Sequence, residues 1–72
     1  MKTETETALQ AAQEYGGYDL DAARKNGETE HGVRDYFSRS NFESMFGHGQ
    51  GEDCGGWDLT ECADAVISEL GL

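Results

Sequence analysis

Hydrophobic positions repeat most clearly near the C-terminus. Leu59, Cys62, Ala63, Val66, Ile67 and Leu70 recur at i, i+3, i+4, i+7, i+8 and i+11, a single stripe on a helix. Asp58 stands where an N-cap belongs, and Glu61 follows three residues on in a D-x-x-E variant of the capping box. Trp57 with Cys62 supplies a hydrophobic staple, and Gly71 is placed to end the helix. The pattern predicts a helix over 59–70.

Weaker patterns precede it. Ala8, Leu9, Ala12 and Tyr15 make a thin apolar side for a helix over about 4–15, with Thr3 and Glu6 as capping box and Gly16-Gly17 as stop. So little apolar surface predicts weak packing. A short helix over about 20–25 follows, capped by Asp19 and closed by Asn26-Gly27, with Arg24 and Lys25 suiting its C-terminal end. Asn26-Gly27 is also a favoured hairpin pair. An α+β fold with a hairpin there is the alternative, although the flanking residues do not alternate apolar and polar. Val33, Tyr36 and Phe37 share a face over 29–38, a stretch that Gly32 weakens. Ser40 is expected to cap a further helical turn with Phe42, Met45 and Phe46 on one side, ended by Gly47. Residues 47–56 (GHGQGEDCGG) contain five glycines and read as a flexible surface loop with Cys54 exposed. The chain has no proline and no internal repeat. The expected fold is all-α: one small domain of three to five short helices, with the glycine-rich loop before the last.

At 72 residues the chain is near the lower limit at which an apolar core alone sustains a fold. The candidate core is Leu9, Tyr15, Tyr18, Leu20, Val33, Tyr36, Phe37, Phe42, Met45, Phe46, Trp57, Leu59, Val66, Ile67, Leu70 and Leu72. Marginal stability is expected, as a monomer or improved by homodimerisation or a partner. Aromatic content of 10% and clear helix punctuation favour a folded chain over a disordered one.

Charge changes the picture most. No lysine or arginine follows Arg39, whereas seven carboxylates do: Glu43, Glu52, Asp53, Asp58, Glu61, Asp64 and Glu69. The first 39 residues carry eight acids against five bases, and the whole chain has a formal charge of −10. Such an excess opposes compaction by self-repulsion. Asp58 to Glu69 spans roughly 16 Å of helix, and no i, i+4 cation neutralises its acids. A solvated helix face accounts for acids there but not for the lack of interspersed bases. Nucleic acid and anionic lipid would repel this chain, so its expected partner is a basic protein surface. No apolar run approaches a membrane span, and the N-terminal MKTETETALQ lacks the apolar segment of a signal peptide; a cytoplasmic protein is expected.

The chemistry-bearing residues are sparse. His48, Glu52, Asp53, Cys54 and Cys62, with His31, are of metal-ligating type, but H-x5-C and C-x7-C are not the close pairs of a structural zinc site. Cys62 falls on the apolar face of the last helix, where a buried thiol is the plain expectation. Asp19-x-Asp21 opens like a calcium loop, yet Ala23 and Arg24 occupy its next ligand and glycine positions. No third group accompanies either cysteine and a histidine as in a catalytic triad, and the glycine loop lacks the phosphate-binding G-x-x-x-x-G-K-[ST]. No catalysis and no cofactor are expected.

Binding remains. Glu52, Asp53, Asp58, Glu61, Asp64 and Glu69 are the candidate partner-binding acids, and Tyr15 and Tyr18 of Tyr15-Gly-Gly-Tyr18 the candidate exposed aromatics. In size, acidity and lack of catalytic motifs, carried by those six acids, the chain resembles small phage- and plasmid-encoded anti-defence inhibitors, including anti-CRISPR and antirestriction DNA mimics. The likeness is one of class, with no family motif. It implies steric and electrostatic blockade of a basic nucleic-acid-binding surface in a host complex, carboxylates standing in for phosphates that duplex DNA spaces at one per about 1.7 Å. Two alternatives stay open: an acidic adaptor adapted to a salt-rich cytoplasm, and a metal-binding or redox module using His48, Cys54 and Cys62.

Overall fold

The computed structural model describes residues 7–49, 51 and 53–72. They form five helices in the order α1 (Ala8–Glu14), α2 (Leu20–Asn26), α3 (Glu30–Tyr36), α4 (Arg39–Phe46) and α5 (Leu59–Leu70). No sheet is present among them, and an isolated Cys54–Trp57 bridge is the single extended pairing. The all-α expectation holds. Asn26-Gly27 closes α2 rather than turning a hairpin: Gly27 adopts the left-handed conformation (φ +66°) and returns its N–H to Ala23 O.

Each helix starts at a side chain able to accept from its own first turn. Thr7 Oγ1, Asp19 Oδ1 and Thr29 Oγ1 accept from the N–H groups of Gln10, Ala22 and Gly32 at 3.0–3.1 Å. The box expected at Thr3 and Glu6 lies outside the described residues. α4 is capped by Ser38, two residues before the expected Ser40. The Ser38 hydroxyl accepts from Asn41 N–H (3.2 Å) and donates to Asp35 O (2.8 Å), so one side chain both closes α3 and opens α4. α5 runs over the expected residues. Its capping box is reciprocal, with Asp58 N–H donating to Glu61 Oε1 at 3.1 Å and the return arm to the Asp58 carboxylate the looser of the two.

α5 is the centre of the packing. It buries Leu59, Cys62, Ala63, Val66 and Ile67 and lies chiefly against α1, then α3 and α2, while α4 packs on α3. The thin apolar side of α1 was expected to pack weakly, yet α1 makes the most extensive contact with α5. Ala11 and Ala12 are fully buried, and side chains that small let helices approach closely. A second layer is aromatic. Tyr18, Phe37 and Phe42 stack in turn at 5.6 Å between ring centroids, with Tyr36 edge-on to Tyr18 at 4.9 Å and its hydroxyl donating to Gly16 O at 2.6 Å. Four expected core residues remain largely outside: Tyr15, Met45, Phe46 and Leu72 are 41–47% exposed.

The glycine-rich segment is more ordered at its end than its composition suggests. Gly55 and Gly56, both with positive φ, form a two-residue turn closed by Cys54 N–H to Trp57 O (2.7 Å) and Trp57 N–H to Cys54 O (3.1 Å). This turn drives Cys54 inward, to 2% exposure, where an exposed thiol was expected. Gly16 meets it from α1: a Cβ there would stand 2.7 Å from Ala12 O and 3.2 Å from both Cys54 Sγ and the Phe37 ring.

Gly16→Ala should therefore cost about 1–3 kcal/mol by overpacking, and lower the melting temperature by roughly 4–8 °C per kcal/mol. Circular dichroism melts check this; an unchanged midpoint would mean that the α1–Cys54 seam has slack.

Candidate functional site

The acids of α5 are not left without cations. Arg34 of α3 sets Nη2 2.9 Å from Asp64 and Nε 3.3 Å from Glu30, and Arg24 of α2 sets Nη2 3.2 Å from Glu69 with Asp21 at 3.8 Å. The hydrogen bond that Arg34 donates to Asp64 raises its already high pKa further. Asp58 and Glu61 are engaged in the cap. The expectation of an unneutralised stripe along α5 is thus corrected: its partners arrive from elements up to 45 residues away, a distance at which no local spacing signals them.

The negative field survives this pairing. Among the described residues twelve carboxylates face four Lys and Arg. Arg24 and Arg34 each serve two acids, so each trio keeps a net charge of −1. Asp64 and Glu69 side chains stay 59% and 44% exposed beside their arginines, open to a further donor. Glu14 and Asp53 are exposed, with no ion pair among the described residues. Glu52 lies outside the described residues. Of the two proposed aromatics, Tyr15 is half-exposed and rests on the turn, where a Cβ on Gly55 would collide with its ring. Tyr18 is 7% exposed and belongs to the core, which corrects its place among the exposed aromatics. Its hydroxyl has no hydrogen-bond partner among the described residues, and burial, with the nearby Glu28 carboxylate and Tyr36, pushes its pKa up.

The cysteines form a buried pair of free thiols. Cys54 Sγ donates to Ala11 O at 3.2 Å, and Cys62 Sγ points at Cys54 O at 4.0 Å. Hydrogen bonding to Cys54 and then burial push the Cys62 thiol far above the usual range, while the Cys62 thiol holds Cys54 down. Exposed His48 does not join them: among the described residues no three His, Cys, Asp or Glu side chains gather as a metal site. Nor does any described serine or cysteine side chain bond to a histidine. No described helix is long and apolar enough to cross a membrane.

Sequence reasoning missed one concavity. Tyr15, Phe42, Phe46, Asp53, Cys54 and Gly55 line a groove of about 300 Å³ between the C-terminal ends of α1 and α4. A glycine pair between Cys54 and Trp57 was the available signal, because such a pair between apolar residues marks a tight turn.

Scans against protein-family models, curated proteins and solved structures find no match to this chain. Its function has to be read from its own surface.

The thiol pair gives a pH prediction. A folded-state pKa raised above that of the unfolded chain means that, once pH passes about 8.5, the unfolded state releases a proton the folded state retains. Stability conferred by Cys62 is then complete below about pH 8.5 and falls as pH rises. Urea melts should show this decline, and Cys54→Ala/Cys62→Ala should flatten it until the tyrosine range near pH 10. An identical decline in the double variant would place its origin elsewhere.

Proposed function

We propose that this chain is a non-catalytic inhibitor that occupies a basic, nucleic-acid-binding surface of a host defence complex, in the manner of the anti-defence proteins it resembles as a class. One observation carries the reading: among the described residues twelve carboxylates on a small frame stand against four Lys and Arg, two of those cations already divided between acids. Arginines held between two carboxylates fix Asp64 and Glu69 in place without cancelling their field. Ordered negative charge of this kind presents a basic partner with fixed acceptors, and electrostatic steering speeds the encounter. Asp53, Asp58, Glu61, Asp64 and Glu69, with Tyr15 beside Asp53, are the residues proposed to meet the partner. The mechanism is occlusion, with no turnover.

Reversing Asp58, Glu61 and Asp64 to lysine would break the α5 cap and the Arg34 bridge, mixing loss of fold with loss of binding. Neutral isosteres separate the two. With the chain immobilised against a nuclease-treated host lysate, capture of a nucleic-acid-binding protein is expected at about 50 mM salt, with marked loss by about 200 mM and displacement by duplex DNA. Asp53→Asn/Asp64→Asn/Glu69→Gln should weaken capture while leaving the helical spectrum intact. Capture indifferent to salt and DNA would overturn the reading. So would a chain that gains its helices only in molar potassium chloride, which would make the acidity an adaptation to solvent.

A further inference from the structure

Among the described residues, three of the four exposed large hydrophobic side chains stand at neighbouring helix ends. Tyr15 (41% exposed) caps α1; Met45 (44%) and Phe46 (47%) form the last turn of α4. Tyr15 and Phe46 wall the groove of about 300 Å³, and Phe42, buried and edge-on to Phe46 at 5.1 Å, lies behind them. The volume is at the lower edge of the range for ligand pockets, about 300–1,000 Å³, and suits an inserted side chain more than a whole cofactor.

The electrostatics of the rim are one-sided. Asp53 lines the groove, Glu14 precedes Tyr15, and no described lysine or arginine contributes to the wall. α1 and α4 both end here, so the negative ends of two helix dipoles add to the carboxylates. Arg24 and Arg34 are committed to α5, and Arg39 sits at the opposite end of α4, beside Glu43. An apolar slot whose described rim carries only negative charge disfavours acidic partners and anionic lipid headgroups alike. It is complementary to a large apolar side chain flanked by basic ones.

We propose that this groove is the anchoring site for an amphipathic, lysine- and arginine-bearing segment of the partner protein, with one large apolar side chain inserted between Tyr15 and Phe46 and neighbouring cations facing Asp53 and Glu14. The inference rests on the basic-partner reading above and adds to it a defined apolar contact. Charge then governs approach, and the groove governs residence, since desolvated aromatic contacts carry most of the energy in protein interfaces.

The test uses two labelled synthetic peptides of equal positive charge, one of lysine with leucine and tryptophan, the other of lysine with serine, titrated by fluorescence anisotropy. The apolar peptide should bind at least about tenfold more tightly, a difference of about 1.4 kcal/mol. Phe46→Ser should remove that advantage without changing affinity for the serine peptide, and Asp53→Asn should weaken both. Amide shifts in NMR spectra should centre on Gly55, Asp53 and Phe46. Equal binding of the two peptides, or an advantage that survives Phe46→Ser with shifts confined to α5, overturns the groove and leaves the charge reading standing. Failure of both peptides to bind at low salt overturns the charge reading as well. A sedimentation mass that doubles for the wild type and not for Phe46→Ser would make a second copy of this chain the occupant, and the proposal would fall.

Discussion

The burial of one helix face holds this molecule together. α1 to α4 are seven or eight residues long, well short of the roughly 12–15 at which an isolated helix becomes even marginal in water. Their capping side chains set where each begins, but capping cannot make helices so short persist. What makes them persist is the stripe from Leu59 to Ile67, the one long apolar surface on which α1, α2 and α3 converge. α4 depends on it at one remove, through α3 and the rings of Phe37 and Phe42.

That dependence explains how the molecule tolerates its charge. The polar edge of the central helix is acidic, and the short helices that pack around it bring arginines to its margins: Arg34 to Asp64, Arg24 to Glu69. Exposed pairs of this kind add little stability individually. Their larger effect is on register, because each ties a short helix to one position along α5 and places a second acid, Glu30 or Asp21, beside the first. The surface is consequently ordered and still negative.

The limits of α5, its cap and its buried face were legible from periodicity and D-x-x-E spacing, since both are local. So were the caps of α2 and its closing Asn26-Gly27. The α3–α4 junction was displaced because two serines compete there, and only Ser38 also reaches back to Asp35 O. The underrated packing of α1 has a different cause. Apolar area counts side-chain size, whereas Ala11 and Ala12 act by being small enough for close approach. Cys54 and Tyr18 were misplaced for a third reason: composition gives a loop's average polarity, while the Gly55-Gly56 turn and the ring stack decide where individual side chains go. Of the proposed site, its acidity was readable. The arginine bridges and the groove at Phe46 arise from contacts between distant parts of the chain.

The closest packing joins α1 to α5, the first and last of the described helices. With no proline to impose a slow isomerisation, helix formation itself is fast, yet the apolar stripe on which α1, α2 and α3 converge is missing until α5 is present. During synthesis the usual order, with early segments settling first, is unavailable. Order in α1, α2 and α3 is thus conferred late, by a helix synthesised after all of them.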